Sequence, residues 1–129
     1  MADQARKRVL VVDDAALVRL YYRDALEHAG FEVDEALNGL EALEKLLAAP
    51  VVLLIVDVNM PQMDGFTFLE AVRRREMPLA ATPALITSTE DGPQDFSAAR
   101  AAGANFYLVK PVLRERLVEV VAMLCGTVG

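Results

Sequence analysis

The chain has 129 residues, a size expected to give a single domain over residues 1–129 with one core and no room for a second. Apolar residues make up 54% of it, but the longest apolar run, Val51–Val56, is far too short to cross a bilayer, so no membrane partner is expected. A net charge of −6 and a pI near 4.7 argue against nucleic-acid binding, because phosphate backbones attract basic surfaces and repel acidic ones.

The N-terminal lead Met1–Arg8 is charged and has no apolar signal core behind it, which places the protein in the cytoplasm. Within it Arg6-Lys7-Arg8 reads as a solvated entry to a strand. Val9–Val12 is that strand, and a helical pattern runs from Ala15 to Ala29 and stops at Gly30. Phe31–Ala36 alternates as a second strand. Asn38-Gly39 opens a second helix, Leu40–Ala48, which Pro50 closes. Val51–Val56 is apolar throughout, as a central parallel strand covered on both faces should be.

A turn-rich stretch, Asn59–Gly65, leads into a third helix over Phe66–Arg75, whose arginines complement its C-terminal dipole. Ala84–Thr87 is strand four, Gln94–Ala102 helix four, Asn105–Val109 strand five, and Arg114–Leu124 a last amphipathic helix ending at Gly126. The single cysteine, Cys125, has no internal disulfide partner and is expected to be a small buried hydrophobe. Strict β-α alternation predicts a parallel sheet with helices on both faces, since parallel strands need right-handed crossovers that pack back onto the sheet.

All carboxyl ends of a parallel sheet lie on one edge, where ligands of such folds bind. Asp13-Asp14 follow the first strand, Asp57 ends the third, Thr87 the fourth and Lys110 the fifth. Three carboxylates against one ammonium leave about two uncompensated negative charges, which asks for a cation. Hard oxygen donors with no His or Cys nearby suit Mg²⁺, which binds few carboxylates and keeps positions for water and phosphate. The set fits phosphoryl transfer: Asp57 as nucleophile, Asp13 and Asp14 with Asp57 on the metal, Lys110 and Thr87 on the phosphoryl oxygens.

Taken singly, each residue has a plainer reading. Asp13-Asp14 would cap a helix, Asp57 end a strand in a turn, Thr87 satisfy loop backbone, and Lys110 snorkel at the surface. Tyr107, Met60 and Met63 would be packing, Tyr21 and Tyr22 helix surface or core, and His28 solvated. Placement on four different strand ends, in order, argues against coincidence.

The segments Val11-Val12-Asp13-Asp14, Asp57–Gly65, Ile86-Thr87-Ser88 and Tyr107-Leu108-Val109-Lys110-Pro111 together resemble the response-regulator receiver family, and within it the stand-alone chemotaxis-type members. The resemblance covers nearly the whole chain. It implies a flavodoxin-like (βα)5 fold with strand order 2-1-3-4-5, and a phosphohistidine donor on a sensor histidine kinase or histidine phosphotransfer protein. It implies a metal contact from the Asn59 backbone carbonyl, a cis peptide between Lys110 and Pro111, and a switch in which Thr87 moves toward the phosphoryl group while Tyr107 turns inward. By the same resemblance a downstream output protein docks on helix four, strand five and helix five, and the chain is a monomer or weak dimer. The resemblance further implies that the chain catalyses only its own phosphorylation and dephosphorylation. Asn59 and Thr89 stand at positions that vary in the family and influence acyl-phosphate lifetime; neither carries a charge. Ala15 is small where many relatives are larger.

Three other functions fit the sequence less well. A haloacid-dehalogenase-type phosphatase needs a second Asp two residues after the nucleophile, where this chain has Asn59. An FMN carrier needs a glycine- and hydroxyl-rich phosphate loop where Asp13-Asp14 stand. A pseudo-receiver acting only as an interaction module has usually lost one of the acidic residues, all of which are present here.

Overall fold

The computed structural model describes residues 7–126, so the lead through Arg6 lies outside the described residues. Strands and helices alternate as β1 (Arg8–Val12), α1 (Ala16–His28), β2 (Glu32–Ala36), α2 (Gly39–Ala48), β3 (Leu53–Asp57), α3 (Gly65–Arg73), β4 (Ala84–Ser88), α4 (Pro93–Ala102), β5 (Phe106–Val109) and α5 (Arg114–Cys125). The sheet is wholly parallel in the order β2-β1-β3-β4-β5, the flavodoxin-like winding.

The period-2 alternation of the strands sorts the core into two layers. Val9, Val11, Leu53, Ile55 and Leu85 face α1 and α5, where they meet Tyr22, Leu26, Leu117, Val120 and Val121. Leu10, Val12, Leu54, Val56 and Ile86 face α2, α3 and α4, where they meet Ala42, Leu46, Phe68, Leu69, Val72 and Ala99. β1, β3 and β4 are apolar on both sides because both sides are covered, and burying each large side chain contributes about 1.5–3 kcal/mol.

Local capping sets where helices begin. Asn38 accepts from Glu41 N at 2.8 Å and starts α2; Asp64 accepts from Thr67 N at 2.8 Å and starts α3. Left-handed Gly103 (φ 106°) stops α4.

The structure departs from the sequence reading in four places. β3 begins at Leu53, leaving Val51 and Val52 as half-buried entry residues. A short 3₁₀ turn, Leu79–Ala81, fills the connection into β4. α3 ends at Arg73, and that arginine does more than face the dipole: its guanidinium donates to the carbonyls of Ala80, Thr82 and Gly103 and to Asn105 Oδ1, tying α3 to the entrances of β4 and β5. Cys125 is half-buried rather than fully enclosed, and burial raises the pKa of its thiol.

Candidate functional site

Strand parity builds the site. Asp13 follows Val12 by one residue and so continues the side of Val9 and Val11; Asp57 continues Leu53 and Ile55, Thr87 continues Leu85, and Lys110 continues Phe106 and Leu108. Register does the rest. Val12 pairs with Val56, Asp57 with Thr87, and Ser88 with Val109, so the four groups stand side by side at one end of the sheet, on the α1–α5 face.

Lys110 Nζ lies 2.9 Å from Asp13 Oδ2 and 3.0 Å from Asp57 Oδ1. Both carboxylates are buried, at 1% and 6% exposure. One carboxylate oxygen from each of Asp13, Asp14 and Asp57 falls within 4.8 Å of the others. Asp14 is the exposed member.

Neither Asp13 nor Asp14 caps α1. Ala15 is the N-cap residue, and Asp13 Oδ1 accepts the Ala15 N–H at 2.9 Å in a local turn instead. Arg19, one turn into α1, donates to the Asp13 carbonyl at 2.7 Å and to Glu35 at 2.9 Å, pinning the backbone from which Asp13 projects.

Burial raises the pKa of Asp57, and repulsion from Asp13 adds to it, while Lys110 opposes both. Burial works against the Lys110 ammonium, but its contacts with Asp13 and Asp57 together prevail and its pKa is raised. Two net negative charges in a partly dry cleft are what a hard divalent cation neutralises, and this donor set of carboxylate oxygens suits Mg²⁺.

Thr87 is fully buried, and its Oγ1 is a buried side-chain polar atom with no hydrogen-bond partner among the described residues. Asn59 is exposed, two residues beyond β3. The Lys110–Pro111 peptide is cis. Tyr107 occupies the opposite face of the sheet from Thr87: its ring packs edge-on to Phe96 at 4.7 Å between centroids, and its hydroxyl donates to the Glu90 carbonyl at 2.8 Å. His28, at the far end of α1, is exposed and remote.

Two residues escape the sequence reading. Arg19 is one. Tyr22 is the other: it is 3% exposed and lines the cleft beside Lys110, where its phenol feels the charges of Lys110, Asp13 and Asp57. Burial pushes its pKa up to about 12. The signal for Tyr22 was helical spacing, because Val18, Tyr22, Ala25 and Leu26 share one face of α1 and a buried tyrosine needs a polar neighbour for its hydroxyl.

The family model described as "Response regulator receiver domain" matches residues 9–122. The chain is 38% identical over 122 residues to the chemotaxis protein CheY1 of Helicobacter pylori, which covers 93% of this chain and 98% of that protein. It is 42% identical over 107 residues to a protein-glutamate methylesterase/protein-glutamine glutaminase of Archaeoglobus fulgidus. That match takes in 81% of this chain but 30% of the other, so the two share a part and not a whole architecture. Among solved structures, chemotaxis protein CheY4 of Vibrio cholerae superposes with a TM-score of 0.87 at 39% identity, covering 93% of this chain and 99% of that one. With a family match spanning nearly every described element, on a sheet wound 2-1-3-4-5, the chain belongs to the response-regulator receiver family.

Proposed function

We propose that this receiver takes a phosphoryl group onto Asp57 from a phosphohistidine of a sensor histidine kinase or histidine phosphotransfer protein, with Mg²⁺ as the required cation, and that the modified form binds an output protein. The observation that carries the reading is the bridging of the buried Asp13 and Asp57 carboxylates by Lys110.

Asp57 offers an oxygen that attacks phosphorus, and the P–N bond to the donor histidine breaks as the new P–O bond forms. Lys110 already contacts that carboxylate and follows the negative charge as it moves onto the phosphoryl oxygens. Thr87 has a free hydroxyl proton to donate to one of them. Asp13, Asp14 and Asp57, with the Asn59 carbonyl, would hold the metal. Mg²⁺, when bound, supplies charge that offsets repulsion between the carboxylates and the incoming phosphoryl group.

The donor must come within bonding distance of Asp57, so its surface has to lie on the rim of the site. That rim is apolar: Leu17 and Leu113, 80% and 69% exposed, line a cleft together with Lys110. Output passes through the α4–β5–α5 face around Tyr107, where phosphorylation biases a two-state equilibrium and the partner adds its differential affinity. The chain acts in the cytoplasm as a single domain, monomeric or weakly dimeric.

The test is incubation with acetyl phosphate, with and without Mg²⁺, followed by prompt intact-mass measurement alongside Asp57→Asn. One phosphoryl adduct that needs Mg²⁺ and is absent in the variant is expected. No adduct and no beryllofluoride complex in a folded protein would leave an interaction module.

A further inference from the structure

The chemistry above does not use Tyr22, although it is the best-buried phenol beside the site. α1 starts at the edge of the sheet that carries the carboxylates and runs away from it. Side chains on a helix tilt toward its N-terminus, so a long residue less than two turns in reaches back to that edge. Tyr22 does so on the face where strand parity also puts Thr87, Asp57 and Lys110.

Tyr22 packs in the same core layer as Leu85, two residues before Thr87 on its strand, and Leu108, the register partner of Thr87, and Thr87 Oγ1 has no hydrogen-bond partner among the described residues in its fully buried position. A buried hydroxyl left so is costly, and native proteins rarely keep one without a use for it. A threonine hydroxyl has one proton and two lone pairs. Once Thr87 gives its proton to a phosphoryl oxygen, what it lacks is a donor to its own oxygen. The neighbouring phenol is such a donor, and a bond from it would strengthen the one that Thr87 donates.

We infer that Tyr22 is a positioning residue for Thr87, its hydroxyl donating to Thr87 Oγ1 when a phosphoryl group is bound and so holding the Thr87 proton on that group. This rests on the phosphoacceptor reading. It assigns Tyr22 no contact with the phosphoryl group itself.

The test is a double-mutant cycle read by fluorine NMR titration of beryllofluoride, with Mg²⁺ present, on the wild-type chain, Tyr22→Phe, Thr87→Ala and the double variant. Phenylalanine keeps the ring in the core, and near-UV circular dichroism and urea midpoints check that the fold is intact. Tyr22→Phe is expected to weaken beryllofluoride binding roughly fivefold, in the range of one lost hydrogen bond, and to have less than about a twofold effect when Thr87 is already Ala. Equal binding by wild type and Tyr22→Phe overturns the inference, as does a loss of the same size in both backgrounds, which a purely structural role would give. If the wild-type chain takes neither beryllofluoride nor a phosphoryl group, the phosphoacceptor reading falls and this inference with it.

Discussion

Gly65 approaches the main chain of Asp57 so closely that a β-carbon on it would stand 2.3 Å from the Asp57 carbonyl oxygen. Side-chain carbons do not come this near to backbone, and the obstacle is a strand rather than a flexible side chain. Glycine at this position is what lets the start of α3 close over the end of β3, with Gly65 N donating to the Val58 carbonyl at 3.0 Å. Gly65→Ala is expected to push the helix off the strand, costing about 2–3 kcal/mol in urea unfolding. It should also slow phosphorylation of Asp57 by acetyl phosphate, since displaced backbone carries the nucleophile with it.

Asp57 pays a penalty for its place: it is buried beside Asp13, and Lys110 is shared between the two. Replacing it with the uncharged Asn should raise stability without metal by about 1–2 kcal/mol. Saturating Mg²⁺ should then narrow or reverse that gap, because a ligand that binds only the folded chain adds about 2.7 kcal/mol at a hundredfold excess over its dissociation constant. Thermal melts of both proteins with MgCl₂ or EDTA measure this. Equal Mg²⁺ shifts in the two would mean the ion does not need the Asp57 carboxylate.

The exposed Leu17 and Leu113 are expected to separate protein donors from small ones. Changing both to Glu should lower the rate of transfer from a phosphorylated histidine-containing protein at least about tenfold, through a charged, poorly matched interface. Phosphorylation by acetyl phosphate, which needs no interface, should stay within about twofold. A parallel loss with both donors would point to damage at the site itself.

Asp34 on β2 supplies a pH dependence far from the site. Burial alone would raise its pKa, but the Glu35 N–H at 2.8 Å, Arg8 and Lys45 prevail and hold it below the usual carboxylate range. A depressed folded-state pKa means the stabilisation is complete above the unfolded value, near 4, and is lost as pH falls through the lower folded one. Asp34→Asn should therefore be less stable at pH 7, by about 1 kcal/mol or less for partly buried pairs still open to solvent screening, with the gap closing below about pH 4. Urea midpoints from pH 3 to 7 for both proteins track it.

Much of this was legible in the chain because alternation and strand ends are local signals. Val9–Val12 and Ala84–Thr87 announce themselves by composition, and Asp13, Asp57, Thr87 and Lys110 each sit where a strand stops. What stayed hidden depends on contacts distant in sequence. Arg73 looks like any arginine ending a helix until the fold brings the Gly103 carbonyl to its guanidinium, 30 residues on. Tyr22 could be recognised as buried from its spacing, but its polar neighbour lies on a strand more than sixty residues away. Asp13 and Asp14 had a cap-like spacing, and only the helix start at Ala16, with Ala15 as N-cap, frees them from that role.

The shared parity of Asp13, Asp57, Thr87 and Lys110 limits how the chain can vary in length. Inserting or deleting one residue within β1, β3, β4 or β5 would turn that strand's last group to the α2–α4 side and remove it from the constellation, whatever the residue added. A shift of two would keep the face but displace the group by about 7 Å along the strand, beyond the reach of Lys110. Loops at the opposite edge of the sheet, such as the one containing Met77 and Pro78, carry no such restriction. Length changes compatible with the site therefore belong at that edge, and a tag or a second module spliced there would leave the constellation in register.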